Sequence, residues 1–151
     1  FMPELARLGD DPIEDEFSAE VLEKVFHGRR GAIKTLLLNQ HIVAGIGNIY
    51  ADEILHRSRL RWNRPVDQLS RQKLSTLSDS ITEVLSAAID AGGSTLDDTQ
   101  YVNVDGTFGG YQHEHRVYGR AGEICRTCGK SRIVRVTVAG RGTWYCPRCQ
   151  R

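Results

Sequence analysis

Cys125-Arg126-Thr127-Cys128 and Cys146-Pro147-Arg148-Cys149 frame seventeen intervening residues, and that spacing decides how the C-terminal part of the chain folds. Each C-x-x-C offers two thiolates from one tight turn, and Gly129 after the first pair and Pro147 inside the second suit such turns. Between the pairs, Arg132 to Val138 alternates as a strand, Ala139 to Gly142 supplies a turn, and Thr143 to Tyr145 returns. Together they predict one tetrahedral zinc site, ligated by Cys125, Cys128, Cys146 and Cys149, on a β-hairpin. Iron fits the same four thiolates. Two local disulfides or a redox dithiol would instead need an oxidising compartment or a βαβ setting, and nothing in the sequence points to either. A hairpin this short cannot bury enough surface to fold unaided, so the metal is structural first and by itself names no function.

Working outward, 151 residues suffice for one ordinary core plus this small metal-clipped module. No apolar run is long enough to cross a membrane, and the acidic N-terminal stretch does not read as a signal peptide. A reducing, intracellular location is the default expectation. The net charge of +1 conceals blocks of opposite sign. Residues 1–20 hold seven acids and one base, and 24–73 ten bases and three acids. Residues 74–115 hold seven acids and no base, and 116–151 nine bases and one acid. Two basic segments, one on the ribbon, are the footprint of a phosphate binder, or else solvated faces neutralised by the acidic blocks.

Before the ribbon the pattern is helical. Residues 1–17, with Pro3, Gly9 and Pro12 among acids, read as a lead-in without periodicity. Ser18 is placed to cap a helix from Ala19 to about Gly28, with Val21, Leu22, Val25 and Phe26 apolar. A short helix follows over Ala32 to Leu38, and a third is expected with Asn48 as its cap and Ile49, Ile54 and Leu55 inward, closed by Pro65. Helical spacing is clearest from Ser70 to Ala91, where Leu74, Leu77, Ile81, Leu85, Ala88 and Ile89 recur until Gly92-Gly93. The fold class is therefore mainly α, a small helical bundle followed by a β-hairpin zinc ribbon. Residues 94–115 are a glycine-rich loop.

Gly45-Ile46-Gly47-Asn48 is open to two readings. Its glycines let backbone approach a partner closely, and a helix starting there aims free amides and its positive dipole end outward, which suits an anion. Equally, a tight interhelical turn needs glycine merely to fit. Lys34 and Arg29 lie nearby in sequence and would add charge to the first reading.

Several motifs in register carry a resemblance. Ala32-Ile33-Lys34-Thr35-Leu36-Leu37-Leu38, Gly45-Ile46-Gly47-Asn48-Ile49-Tyr50-Ala51-Asp52-Glu53, Gly92-Gly93-Ser94-Thr95-Leu96, Val117-Tyr118-Gly119-Arg120 and the four-cysteine ribbon occur in this order. The chain resembles the C-terminal half of formamidopyrimidine-DNA glycosylases, a helix-two-turn-helix domain followed by a zinc finger. The resemblance implies a lead-in or interdomain linker over 1–17, a DNA-binding domain over 18–93, a lesion-recognition-type loop and connector over 94–119, and the zinc finger over 120–151. It favours phosphate binding at the glycine turn.

Met2-Pro3-Glu4-Leu5 imitates the family's catalytic start, in which a proline amine attacks the sugar. Here Phe1 and Met2 precede Pro3, so its nitrogen is a tertiary amide, and the following residues resemble the linker instead. The family's N-terminal β-sandwich is therefore expected to be missing in cis, and the isolated chain inactive.

What the resemblance implies for function is the DNA-binding part of a base-excision-repair glycosylase and abasic-site lyase for oxidised purines such as 8-oxoguanine and formamidopyrimidines. Its partner would be damaged double-stranded DNA, its cofactor one zinc ion, its state a monomer, and its location the cytoplasm, on the nucleoid in a bacterium. By the same resemblance Arg29, Lys34, Asn48 and Arg141 contact phosphates, and Arg141 is also the catalytic proton donor in δ-elimination. Asp105-Gly106-Thr107-Phe108-Gly109-Gly110-Tyr111 favours the oxidised-purine branch over an endonuclease VIII-type one, whereas Gln112 and His113-Glu114-His115 depart from its pattern. A non-catalytic zinc-dependent DNA-binding module and a ribosome-associated module are the other function classes.

Overall fold

The structure, a computed structural model, describes residues 18–39, 46–90 and 115–151, with Ile89 and Asp90 by backbone alone. The lead-in, Gly45, Gly92-Gly93 and the loop over 94–114, His113 included, lie outside the described residues. The described chain runs α1 (Ala19–Phe26), α2 (Ile33–Leu38), α3 (Asn48–Ser58), a 3-10 turn (Val66–Gln68), α4 (Arg71–Asp90), β1 (Val134–Val138) and β2 (Arg141–Tyr145). It is mainly helical with one antiparallel hairpin, as the sequence predicts.

Two serines set the helix starts. Ser18 Oγ accepts from the Val21 amide at 3.4 Å, and Ser70 Oγ from the Lys73 amide at 3.2 Å, each satisfying an otherwise orphaned first-turn donor. Leu74, Leu77, Ile81, Val84, Leu85 and Ala88 of α4 then fall on one buried stripe. They pack with Leu22 and Phe26 of α1, Ile33, Leu36 and Leu37 of α2, and Ile54 and Leu55 of α3 in a single core. A backbone bridge between Ala32 and Pro65 clamps the start of α2 to the segment after α3.

Several boundaries differ from the sequence reading, three of them for a visible reason. Asn48 is the first residue of α3 and Gly47 its cap, because the Asn48 side chain is drawn away to the hairpin, where Nδ2 donates to the Gly142 carbonyl at 3.1 Å. β1 starts at Val134, since Arg132 and Ile133 pair instead with the first knuckle through the Ile124–Arg132 bridge and the Gly122–Ile133 hydrogen bond. β2 starts at Arg141, two residues early, because Ala139 and Gly140 alone make the turn, at φ 51° and 79°. A turn with two positive φ values matches the right-handed twist of its strands. Arg141 therefore opens β2, opposite Val138.

The ribbon has its own small core of Val117, Ile133 and three of the cysteines. A lone two-stranded hairpin is marginal in water, so it depends on a metal and on docking to the helices.

Candidate nucleic-acid interface and metal centre

The knuckles bring the four thiols of Cys125, Cys128, Cys146 and Cys149 together, with all ligand atoms within 4.8 Å of one another. Sγ–Sγ separations are 3.8 Å for Cys125–Cys149 and 3.9 Å for Cys128–Cys146. A tetrahedron with Zn–S bonds of about 2.3 Å has an edge of about 3.8 Å, so the set fits zinc. Its electrostatics call for a cation. Amides of Ser131 and Lys130 pull the Cys128 thiol down to about 6, while burial and the neighbouring thiols push Cys149 up to about 12. Four thiols this close cannot all ionise unless a positive ion sits among them.

Above the ribbon, α3 presents polar residues at every fourth position, which puts them on one face. Asn48 reaches the Gly142 carbonyl, Asp52 Oδ2 accepts from the Trp144 amide at 3.2 Å, and His56 Nε2 lies 3.6 Å from Cys125 Sγ. Glu53, beside that stripe, accepts from three successive amides, Arg116, Val117 and Tyr118, at 2.7, 3.0 and 2.9 Å. It anchors the chain where it approaches the ribbon. Burial still raises the Glu53 pKa against those three bonds. Gln150 fastens the second knuckle, accepting from the Cys146 amide at 2.8 Å and donating to the Leu60 carbonyl at 2.9 Å.

Lys34 lies inside this assembly: it is 2% exposed, with Nζ 2.8 Å from Asp52 Oδ1, 2.8 Å from Thr143 Oγ1 and 3.1 Å from the Gly142 carbonyl. Those acceptors surround the ammonium. Burial lowers its pKa, and burial also carries Asp52 up to about 6 in spite of the lysine beside it.

Asn48 and Lys34 thus converge on one carbonyl, and the residue before it is Arg141, which is exposed. Arg141 borders a cleft of about 240 Å³ with Lys34, Thr35, Leu38, Asn39, Val138 and Ala139. Arg29 is also exposed, its Nε donating to the Val25 carbonyl at 3.1 Å, and no contact among the described residues joins it to Arg141 or Asn48. His115 is buried, edge-on to Tyr118, which in turn packs on Trp144. Sequence reasoning overlooked Asp52, Glu53, Gly142, Thr143, His56 and Gln150 as parts of this assembly. The usable signal was a helix whose polar residues recur every fourth position.

Fold and site together define a small helical domain braced against a four-cysteine metal-binding ribbon. The family model described as the formamidopyrimidine-DNA glycosylase H2TH domain matches residues 8–100, and that of the zinc finger found in FPG and IleRS matches residues 122–151. The chain belongs to the formamidopyrimidine-DNA glycosylase family. It is 47% identical over 150 residues to the formamidopyrimidine-DNA glycosylase of Phenylobacterium zucineum, covering 99% of this chain and 52% of that protein. The crystal structure of the MutM (Fpg) protein of Thermus thermophilus superposes with a TM-score of 0.88 at 44% identity, over 99% of this chain and 56% of that one. A Lactococcus lactis Fpg complex with abasic-site DNA gives 0.86 at 36% identity, over 98% and 53%. The chain spans about half the length of the curated relatives it matches.

Proposed function

We propose that this chain is the DNA-binding portion of a base-excision-repair glycosylase and abasic-site lyase acting on oxidised purines in duplex DNA. The carrying observation is the placement of Arg141: exposed at the head of β2, one residue before a carbonyl held by both Lys34 and Asn48. With the backbone at the strand start already held, only the Arg141 side chain has to be ordered for its guanidinium to meet two phosphate oxygens. Relatives solved with abasic-site and Fapy-dG DNA support that partner.

In this reading Arg141 and the half-buried Asn48 grip phosphates flanking an extruded nucleotide, with Arg29 on the outer backbone. The Asn48 Nδ2 group already donates one hydrogen to the Gly142 carbonyl, and its second hydrogen is the one a phosphate oxygen would accept. Lys34 braces the strand that carries Arg141. Zinc folds the hairpin and supplies no chemistry to the reaction. Holding the kinked duplex offsets an unstacking cost of a few kcal/mol. In a full-length enzyme Arg141 would donate the proton in δ-elimination.

The division into 1–17, 18–93, 94–119 and 120–151 follows the same reading, as do a monomeric state and a cytoplasmic, nucleoid-associated location. The 151 residues alone would excise nothing, because Pro3 follows Phe1 and Met2 and carries no amine. The test is competitive binding of the purified chain. A duplex with a tetrahydrofuran abasic analogue should outcompete an undamaged duplex and single-stranded RNA of equal length. Equal affinity for the RNA would favour the ribosome-associated alternative.

A further inference from the structure

Two members of the polar stripe on α3 hold the hairpin strand; the third does something else. His56, two helical turns beyond Asn48, is 5% exposed and faces Cys125 Sγ at 3.6 Å. An apolar ring would fill that space without the cost of burying imidazole nitrogens. Two of the other thiols are met by backbone amides: Cys128 Sγ by the Ser131 amide and Cys146 Sγ by the Cys149 amide, each at 3.4 Å. At Cys125 the facing group comes from outside the ribbon altogether.

We propose that His56 is a positioning residue of the zinc centre, whose Nε2–H donates to the Cys125 thiolate and ties the metal site directly to α3. A metal-bound thiolate is an acceptor only, so the nitrogen facing it carries the hydrogen. That bond does for Cys125 what the backbone amides do for Cys128 and Cys146: it stabilises negative charge on sulfur and fixes the direction of its lone pairs. The metal is thereby coupled to the helix whose first residue is Asn48.

The experiment uses the 151-residue chain as wild type, His56→Phe and His56→Gln. Phenylalanine keeps a ring of similar volume without a donor, and glutamine returns an amide N–H near the Nε2 position. Zinc affinity is measured by competition with a chromophoric chelator, and the sulfur-to-metal charge-transfer bands are recorded on the Co2+ form. His56→Phe should weaken zinc binding about 10-fold or more and move the bands to longer wavelength, because a thiolate without its hydrogen bond gives up an electron more readily. His56→Gln should recover most of both. Unchanged affinity and bands in His56→Phe would overturn the proposal. So would a His56→Gln as impaired as His56→Phe, since ring shape would then carry the effect. The inference rests on the zinc assignment, and a wild-type chain that takes up neither ion would overturn both at once.

Discussion

Lys34 and Asp52 meet at 2.8 Å with side-chain exposures of 3% and 1%, joining α2 to α3 underneath the strand that carries Arg141. Asp52 also receives the Trp144 amide, and Lys34 donates to Gly142 and Thr143, so the pair is a junction between helices and ribbon. Removing one partner of a buried pair leaves an uncompensated charge, which typically costs about 3–5 kcal/mol. Asp52→Ala should therefore destabilise the chain on that scale in urea unfolding, and adding Lys34→Met should recover a substantial part. A double variant no better than the single would mean that the hydrogen bonds to β2, not the charge, dominate.

The same junction has a pH signature. Burial outweighs the lysine and lifts Asp52 to about 6, so the folded state holds a proton more tightly than the unfolded one. A raised carboxylate contributes stability that is complete below the ordinary carboxylate range and lost as pH rises through the folded value. Glu53 is shifted the same way. The stability of wild type relative to Asp52→Asn should fall between about pH 4 and pH 6 and level off above. A flat difference across that window would show that the aspartate environment is the same in the folded and unfolded states.

Gly142 sits where a side chain has no room. A Cβ there would lie 2.7 Å from Trp144 Cη2 and 3.0 Å from an Arg135 guanidinium nitrogen. The indole cannot swing away freely, because Tyr118 packs on it at 4.3 Å and the Arg135 guanidinium lies over its ring. Gly142→Ala should lower stability by about 1–3 kcal/mol, the usual range for overpacking, and perturb the near-ultraviolet signal of Trp144. An unshifted melting curve would mean the stack reorganises at no cost.

Removal of zinc separates the two cores. Val117 and Ile133 are too few to hold the ribbon without metal, whereas the helical core shares none of its members with the cysteines. Chelation should abolish the Trp144 near-ultraviolet signal while most far-ultraviolet helical signal survives. Loss of both together would make the α3 contacts, Asp52, Glu53 and His56, essential to the helices as well.

Much of this was legible in the sequence, and the failures share one cause. α1 and α4 could be read because a capping serine and an unbroken 3.6-residue apolar period agree in each. The metal site could be read because ligand spacing is a local property. The junction could not, because a charged residue on a helix ordinarily faces water, and only tertiary packing showed that Lys34, Asp52, Glu53 and His56 face another element. The early start of β2 was missed for a similar reason: Gly142 looks like a turn residue, yet Ala139 and Gly140 alone make the turn, and position 142 is glycine because Trp144 and Arg135 occupy its side-chain space.

The proposed grip on DNA rests on Arg141. Binding of the 151-residue chain to an abasic-site duplex, measured across a series of salt concentrations for wild type and Arg141→Ala, tests it directly. Loss of one phosphate contact should weaken binding almost uniformly across sequences and reduce the log-log salt slope by about one unit. Zinc should stay bound, since Arg141 is no ligand, and Arg141→Lys should restore only part of the loss because a point charge cannot engage two oxygens as a guanidinium does. Unchanged affinity and slope in Arg141→Ala, with both reduced in Asn48→Ala, would contradict the account and leave the hairpin a structural cap on a helical DNA-binding domain.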